Sequence, residues 1–235
     1  MEVSVAIGNS QRLTLTGAIL VYQGGNEAFA AWHPAKPGPD GGAPYLGEAE
    51  PLTTDFLHAL SAGLGTYVAP EILPANILVR TSETMVWWMP VQRRTLFFAE
   101  HTEAGKELSG KRYPVPPLVF KVSGGSLWVR ALEKSDRPVA NTTLKTAPFW
   151  NANDQGEVCL GTMHVPEGSG VETIEAWEHG FFQSEFTHAY GAARLTSFPG
   201  GFLALCRRLA GSRKPFPVEY LTDARETLRQ FVERR

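Results

Sequence analysis

Apolar and polar residues alternate most clearly in the middle of the chain, where the pattern predicts an antiparallel β-meander. Two apolar runs, Leu118–Val122 and Leu127–Leu132, flank the sequence Ser123-Gly124-Gly125-Ser126. Adjacent glycines between such runs favour a tight hairpin, because both central positions adopt positive φ without strain. Further apolar, β-branched runs predict more strands at residues 77–79, 85–91, 96–98 and 139–145. Trp87 and Trp88 either point to opposite faces of one such strand or belong to a docking surface; we favour the strand.

The N-terminal part of the chain has a different character. Residues 2–33 contain β-type runs with a turn signal at residues 23–26, and they predict strands. Residues 34–51 are rich in proline and glycine and predict a loop or linker. We therefore expect residues 1–50 to form an N-terminal β extension with a Pro/Gly-rich loop. Residues 51–235 are expected to form the core with its C-terminal helices.

Helical spacing of apolar residues appears on both sides of the predicted meander. Thr54 is a candidate N-cap and Gly65 a candidate stop for a helix that buries Phe56, Leu60 and Leu64. The polar stretch 101–112 predicts a mobile loop. Three helices are predicted near the C-terminus. The first follows the capping-box pair Ser169/Glu172 and has the apolar stripe Val171, Ile174, Trp177 and Phe181. The second has the stripe Phe202, Leu205, Cys206 and Leu209 and ends near Gly211, and the third is capped by Thr222 and has the stripe Ala224, Leu228, Phe231 and Val232.

Composition narrows the classes of function. The chain has 235 residues, with 22 basic and 24 acidic side chains and a formal net charge of −2. That balance gives no reason to expect nucleic acid or an anionic membrane as a partner. No apolar run reaches the ~18 residues of a membrane span, and the N-terminus lacks the pattern of a signal peptide. Two cysteines without metal-ligand spacing predict neither disulfides nor a metal site, and they favour a reducing cytoplasm.

Cys159 is the candidate nucleophile. It follows Gly156-Glu157-Val158, and Asn151 lies eight positions upstream. A thiolate carries acyl groups well, because a thioester remains electrophilic enough for attack by an amine. Gly156 would let the backbone turn sharply before the nucleophile.

Simpler interpretations exist for each of these residues. A lone cysteine between Val158 and Leu160 is usually a small buried apolar residue, and asparagines at 151 and 153 are usually turn formers. Three histidines follow the nucleophile and are candidates for lowering its pKa or deprotonating an incoming amine, although isolated histidines are more often structural: His164, His179 and His188. Cys206 is expected in the core.

The segment from Asn151 to Leu160 resembles the active-site segment of ubiquitin-conjugating enzymes, which hold a ubiquitin-like protein as a thioester. The matching positions are Asn151, Gly156, Val158, Cys159 and Leu160. The resemblance implies that the side-chain amide of Asn151 stabilises the oxyanion. Asn153 lies nearby and is the competing candidate for that role. The resemblance also implies an α+β ubiquitin-conjugating-enzyme-like core, a meander sheet flanked by helices. The predicted order of helix, meander, cysteine segment and helices agrees with that fold.

The sequence departs from the family pattern in several places. Phe149-Trp150 replaces the usual His-Pro pair, and Gly161 stands where an aspartate is common. Tyr113–Pro117 looks like the family's Tyr-Pro-x-x-Pro-Pro signature but lies too far upstream of Asn151, and Arg137-Pro138 fits the spacing better. We interpret Tyr113–Pro117 as a look-alike that opens the second strand of the meander.

A narrower resemblance, carried by residues 149–161, residues 113–117 and the N-terminal β extension, is to the bacterial PRTRC system protein B family, within prokaryotic conjugating-enzyme family D. It implies a ubiquitin-like modifier, a ThiF-like adenylating (activating) enzyme and a metallopeptidase-type deconjugase as partners. Because the activating enzyme would use the ATP, we expect no cofactor on this chain. The leading hypothesis is a thioester carrier that transfers the modifier to an amine. The alternatives are a non-catalytic binding module and a thiol hydrolase.

Overall fold

A computed structural model describes residues 4–6, 12–24, 27–63, 72–161, 163–166, 170–190 and 194–234. Contacts group the chain into two compact units, Met1–Tyr67 and Val68–Arg235. The contact-based division therefore falls later than the boundary expected after residue 50, and it groups the first helix with the N-terminal strands.

Within its described residues, the N-terminal unit has five strands and one α-helix: β1 (Ser4–Ala6), β2 (Arg12–Thr14), β3 (Gly17–Gly24), β4 (Glu27–Lys36), β5 (Tyr45–Leu46) and α1 (Thr54–Gly63). β1 pairs with β2, and β3, β4 and β5 form an antiparallel sheet. The predicted turn is confirmed, because β3 and β4 form a hairpin that pairs Gly24 with Glu27. The predicted loop is wrong at two points, since β4 runs on to Lys36 and β5 lies within residues 34–51.

The predicted cap of α1 is wrong by one residue. The Phe56 N–H donates to Thr53 Oγ1 at 3.2 Å, so Thr53 is the cap and Thr54 is the first helical residue. Phe56 packs on Trp32 with ring centroids 4.8 Å apart, but Leu60 is exposed. Of the side of α1 that was expected to be buried, Phe56 therefore packs against β4 and Leu60 remains exposed. Leu64 and the expected stop at Gly65 lie outside the described residues.

The second unit contains most of the regular structure. Its elements are β6 (Ile77–Arg80), β7 (Thr84–Met89), β8 (Gln92–Phe98), α2 (Glu103–Leu108), β9 (Lys111–Val115), β10 (Leu118–Ser123), β11 (Ser126–Ala131), β12 (Thr143–Thr146), α3 (Ile174–Gln183), β13 (Glu185–Phe186), α4 (Gly201–Leu209), β14 (Asp223–Thr227) and α5 (Leu228–Glu233). A six-stranded antiparallel sheet has the order β14-β12-β11-β10-β7-β6. The predicted meander and its α+β class are confirmed. Gly124 and Gly125 take φ of 55° and 79° in the β10–β11 turn.

Both faces of the large sheet are covered. Trp87 belongs to a core cluster that includes Trp177 of α3 and Leu205 of α4. Trp88 belongs to a second cluster with Phe231 of α5. Adjacent strand residues point to opposite faces, so the two tryptophans occupy two faces of one strand as predicted.

The second unit also contains a three-stranded sheet, ordered β13-β8-β9, and two expectations for the chain around it are wrong. Residues 101–112 are not a loop, because α2 and the start of β9 lie there. The Thr102 hydroxyl caps α2 by accepting from the Gly105 N–H at 2.9 Å, and Leu108 is buried. Tyr113–Val115 lies in β9 and pairs with β8, so this segment does not open the second strand of the meander.

All three helices expected near the C-terminus are present, but the third begins later and has a different cap than predicted. α3 buries Ile174, Trp177 and Phe181, and α4 buries Leu205, Cys206 and Leu209, while Phe202 is half-buried. Val171 is half-buried and lies in a short 3-10 turn before α3, and Ser169 of the expected capping box lies outside the described residues. Residues 223–227 form β14 and not a helix, because they pair with β12. α5 therefore begins later, and its cap is Thr227, in a capping box with Gln230, and not Thr222.

Candidate functional site

Asn151 and Cys159 face each other across a short hairpin. The Cys159 N–H donates to the Asn151 carbonyl oxygen at 2.8 Å, and Ala152 forms a β-bridge with Val158. We call residues 151–159 the nucleophile hairpin, after the candidate nucleophile Cys159 at its end. The eight-residue spacing seen in the sequence is thus the length of chain that reverses direction and brings Cys159 back alongside Asn151.

Asn153 makes the turn of this hairpin. Its Oδ1 accepts the backbone N–H groups of Gln155 and Glu157 at 2.9 and 3.0 Å. This side chain is a turn former, as expected for an asparagine in a loop. Gly156 follows with φ of 77°, and a Cβ there would lie 2.6 Å from the Val129 carbonyl oxygen.

The nucleophile hairpin is anchored along β11. The Val129 N–H donates to the Gly156 carbonyl at 2.7 Å, and the Val158 N–H donates to the Leu127 carbonyl at 2.8 Å. β12 pairs with β11 at Arg130 and Ala131, beyond these contacts. The first half of β11 therefore supports the hairpin while the second half continues the sheet.

Charged side chains fix the turn of the hairpin from behind. Arg130 is buried and donates to Glu226 Oε1 at 2.5 Å and to the Asp154 carbonyl at 3.1 Å. Arg234 donates to the Gln155 carbonyl at 2.6 Å and pairs with Glu226 at 3.3 Å. Burial lowers the pKa of Arg130, and Glu226 acts in the opposite direction. The network ties the turn to β14 and to the end of α5.

Aromatic residues occupy the positions before Asn151. Phe149 is buried and packs edge-on against Phe181 of α3, with ring centroids 5.2 Å apart. Trp150 packs against Phe98 and Phe202 at 5.8 and 5.6 Å. The Phe149-Trp150 pair thus holds the segment leading to Asn151 by packing on β8, α3 and α4.

Cys159 is exposed, so its thiol can be reached by a partner. It opens onto a cavity of about 120 Å³, which Asn151 also lines. The described residues that line it are Asn151, Cys159, Leu160, Gly161, Ser184, Glu185, Thr187, His188 and Tyr190. The two candidate catalytic residues therefore share one cavity.

The Asn151 side chain is buried, and of its two polar atoms only the amide nitrogen has a hydrogen-bond partner. Its Nδ2 donates to Ser184 Oγ at 3.1 Å, and Ser184 Oγ donates to the Phe181 carbonyl at 2.8 Å. The Asn151 Oδ1 atom is buried without a hydrogen-bond partner. No signal in the sequence pointed to Ser184, because it lies 33 residues from its partner.

A family comparison agrees with this arrangement. The model of Prokaryotic E2 family D, E2 being the ubiquitin-conjugating enzymes, matches residues 54–224, well over half of the chain. The chain belongs to this family. Its α+β architecture, with a large antiparallel sheet and few helices, fits the E2-like fold. Neither the comparison with curated proteins nor that with solved structures gave a match.

Membership of Prokaryotic E2 family D indicates a transferase-type role like that of ubiquitin-conjugating enzymes. It also implies a ubiquitin-like modifier and an activating enzyme as partners in general. The family match begins at α1, whereas the grouping by contacts places α1 in the N-terminal unit. The two boundaries differ, so the expected division between residues 50 and 51 stays a prediction.

One wall of the cavity beside Cys159 is formed by the segment Ser184–Tyr190. β13 within it pairs in parallel with β8, and the Tyr190 N–H donates to the Trp150 carbonyl at 2.7 Å. His188 lines the cavity, and its Nδ1 lies 2.9 Å from Thr187 Oγ1. The other two candidate histidines, His164 and His179, are exposed and are not among the lining residues.

The second cysteine has a different environment from Cys159. Cys206 is 4% exposed on α4, and burial raises its thiol pKa to about 12. This confirms the expectation that Cys206 belongs to the core. Its thiol is both inaccessible and protonated at neutral pH, so Cys206 is unsuited to acyl transfer.

Within the described ranges, no three His, Cys, Asp or Glu side chains come together in a group able to hold a metal ion. Nor does any helix in the described part of the chain have the length and apolar character that crossing a membrane requires.

Proposed function

We propose that Cys159 carries a ubiquitin-like modifier as a thioester and transfers it to an amine acceptor. The supporting observation is the nucleophile hairpin, which brings an exposed thiol and the Asn151 amide to one cavity. Membership of Prokaryotic E2 family D supports the same role.

The proposed reaction has two steps. The Cys159 thiolate attacks the thioester carbonyl of the charged activating enzyme, and that enzyme's thiolate leaves. An amine then attacks the Cys159 thioester, forming an amide, releasing the Cys159 thiolate and losing a proton to solvent or a nearby base. Each attack places negative charge on the carbonyl oxygen, which an amide N–H of Asn151 stabilises; removing such a donor costs on the order of 10²–10³ in rate.

The proposed partners follow from this reaction and from the resemblance to PRTRC system protein B. They are a ubiquitin-like modifier, a ThiF-like activating enzyme that consumes the ATP, and a metallopeptidase-type deconjugase. The chain itself would need no cofactor. A reducing cytoplasm would keep the Cys159 thiol available.

The test is incubation of the purified chain with the activating enzyme, ATP and the modifier, followed by a non-reducing gel. The wild-type chain should form an adduct that a thiol reductant removes. Cys159→Ser should form an oxyester that resists the reductant, and Cys159→Ala should form no adduct. Cys206→Ala is the matched control, because that thiol is buried, and it should charge like the wild type.

Two results would contradict the proposal. An adduct that persists in Cys159→Ala would place the acyl group elsewhere. Binding of the modifier without any reducible adduct on the wild-type chain would instead select the non-catalytic binding module.

A thiol hydrolase remains the second candidate, because His188 lines the same cavity as Cys159. Such an enzyme needs the imidazole within hydrogen-bond reach of the sulfur. The described contacts of the His188 ring give it a bond to Thr187 and none to Cys159. Release of free modifier without any acceptor, lost in His188→Ala but not in Thr187→Ala, would favour the hydrolase.

A further inference from the structure

Asn151 and Ser184 form the most deeply buried polar pair at the cavity. Their side chains are 7% and 5% exposed, and both line the cavity that Cys159 shares. Asn151 Nδ2 donates to Ser184 Oγ at 3.1 Å, and Ser184 Oγ donates to the Phe181 carbonyl at 2.8 Å. Buried polar groups are held by such partners, so this chain of bonds controls how the amide lies.

The direction of the bonds fixes the orientation of the amide. A serine hydroxyl has one proton, and Ser184 uses it on the Phe181 carbonyl. Only lone pairs of Ser184 Oγ therefore face Asn151, and an N–H group must lie opposite them. Rotating the amide by half a turn would place Asn151 Oδ1 against Ser184 Oγ, which brings two acceptors together.

The orientation is kept although it leaves Asn151 Oδ1 buried and unbonded. A buried acceptor without a partner is destabilising, because it has lost its hydrogen bonds to water and gained none in the protein. Nδ2 carries two protons, one of which is bonded to Ser184, so the second is left to serve a ligand. Ser184 is itself held at the end of α3, where its N–H donates to the Gly180 carbonyl at 3.0 Å.

We infer that Ser184 is a positioning residue that aims an Asn151 N–H group at the oxyanion formed on the Cys159 thioester. This inference rests on the proposed function. Without the Ser184 hydroxyl, the amide turns freely and presents a carbonyl oxygen to the developing negative charge in part of the population. The chemical step slows, whereas docking of the charged activating enzyme is unchanged.

The test uses the full chain with Ser184→Ala and measures two rates separately. The rate of discharge of the preformed Cys159 thioester at saturating free lysine should fall by about 10-fold, a part of the full effect of an oxyanion donor. The affinity for the charged activating enzyme, read as the concentration for half-maximal charging, should change less than about 2-fold. Ser184→Thr keeps the hydroxyl and should restore most of the discharge rate.

Thr173→Val is the matched control. Thr173 Oγ1 donates to the Gly170 carbonyl at 2.7 Å, the same i to i−3 bond at the other end of α3. Removing that hydroxyl should leave discharge at the wild-type rate. A drop equal to that of Ser184→Ala would show that any hydroxyl loss at α3 slows the reaction, which overturns the inference.

A double-mutant cycle separates positioning from stability. In an Asn151→Ala background, Ser184→Ala should not slow discharge further, because no amide remains to be positioned. Fully additive effects would contradict the inference.

If no thioester forms and the proposed function fails, a spectroscopic measurement still tests whether Ser184 orients the Asn151 amide. The side-chain NH₂ signals of Asn151 in a ¹⁵N correlation spectrum should be protected from solvent exchange. They should lose that protection in Ser184→Ala but not in Thr173→Val. Unchanged Asn151 signals in Ser184→Ala would overturn the inference by themselves.

Discussion

Gly156 allows the nucleophile hairpin to form for two reasons. Its φ of 77° is a left-handed conformation, and its hydrogen faces the Val129 carbonyl at a distance where a Cβ would be 2.6 Å away. A non-glycine residue in the left-handed region costs about 1–2 kcal/mol. The clash adds to this, because the obstructing atom belongs to the backbone of β11.

We therefore predict that Gly156→Ala lowers the free energy of unfolding by about 3 kcal/mol and lowers thioester formation with it. The measurements are urea unfolding and the charging gel. Gly124→Ala is the control, because φ is 55° there but no atom lies within 4 Å of the added Cβ. Equal losses in the two variants would show that the contact with Val129 has no effect.

Glu178 should make stability depend on pH. Its carboxylate accepts from Trp87 Nε1 at 3.1 Å and from Arg94 at 2.6 Å. Burial raises its pKa, and the bonds to Trp87 and Arg94 oppose this without cancelling it. A raised pKa means that the folded state holds the proton more tightly than the unfolded state.

The sign of the effect follows from this difference in proton binding. The contribution of Glu178 is fully present below its usual pKa of 4.5 and is lost as the pH rises through the raised value. The unfolding free energy of the wild type should therefore decline more steeply above pH 4.5 than that of Glu178→Gln. Glu103→Gln, an exposed carboxyl on α2, should leave the profile unchanged. Parallel profiles for wild type and Glu178→Gln would contradict this prediction.

At the scale of secondary-structure elements, β11 and β14 meet through a buried ion pair that also supports the nucleophile hairpin. The Arg130 and Glu226 side chains are 2% and 12% exposed. Removing one partner of a buried pair is strongly destabilising, because the other charge is left without compensation in a medium of low polarity. Arg130 also donates to the Asp154 carbonyl, so the effect should extend to the hairpin.

Glu226→Ala should lower the free energy of unfolding by about 3–5 kcal/mol. Glu107→Ala provides the comparison, because it breaks the Arg207–Glu107 pair, whose members are 48% and 47% exposed. Exposed pairs contribute about 0–1 kcal/mol, so this variant should remain close to wild type. Chemical denaturation measures both, and a small loss in Glu226→Ala would show that Arg130 finds another partner.

Elements with strong local signals could be predicted, and elements defined by distant partners could not. The two glycines after Ser123 predicted the β10–β11 hairpin because the turn needs only local geometry. Residues 223–227 carried a helical spacing, yet pairing with β12 makes them a strand. α2 was missed because its N-terminal cap and its three buried residues, Ala104, Gly105 and Leu108, are embedded in a polar stretch.

At the scale of the whole molecule, the same distinction applies to the candidate site. The nucleophile hairpin was recognisable because Asn151 and Cys159 belong to one short segment. The opposite wall, with Ser184 and His188, comes from a segment after α3, and its position depends on how α3 packs against Phe149. Arg130 and Glu226 are 96 residues apart, and neither belongs to a recognisable motif.

The two compact units differ in how much apolar surface they bury. Both core clusters lie within Val68–Arg235. Among residues 14–24 and 27–63, whose burial the structure describes, Ala31 alone is a buried apolar side chain, while large ones such as Val21 and Phe29 are 71% and 62% exposed. A small unit with few buried apolar groups gains little hydrophobic stabilisation to offset its chain entropy.

We therefore predict that a fragment of residues 68–235 unfolds in one cooperative urea transition, monitored by the fluorescence of its buried tryptophans. A fragment of residues 1–67 should show no cooperative transition in circular dichroism. A fragment of residues 54–235 is the control, because it restores α1, where the family match begins. Because α1 is grouped by its contacts with the N-terminal strands, the urea midpoint of the 54–235 fragment should equal that of the 68–235 fragment. A clearly higher midpoint for residues 54–235 would show that α1 belongs energetically to the core and would favour a domain boundary after residue 50.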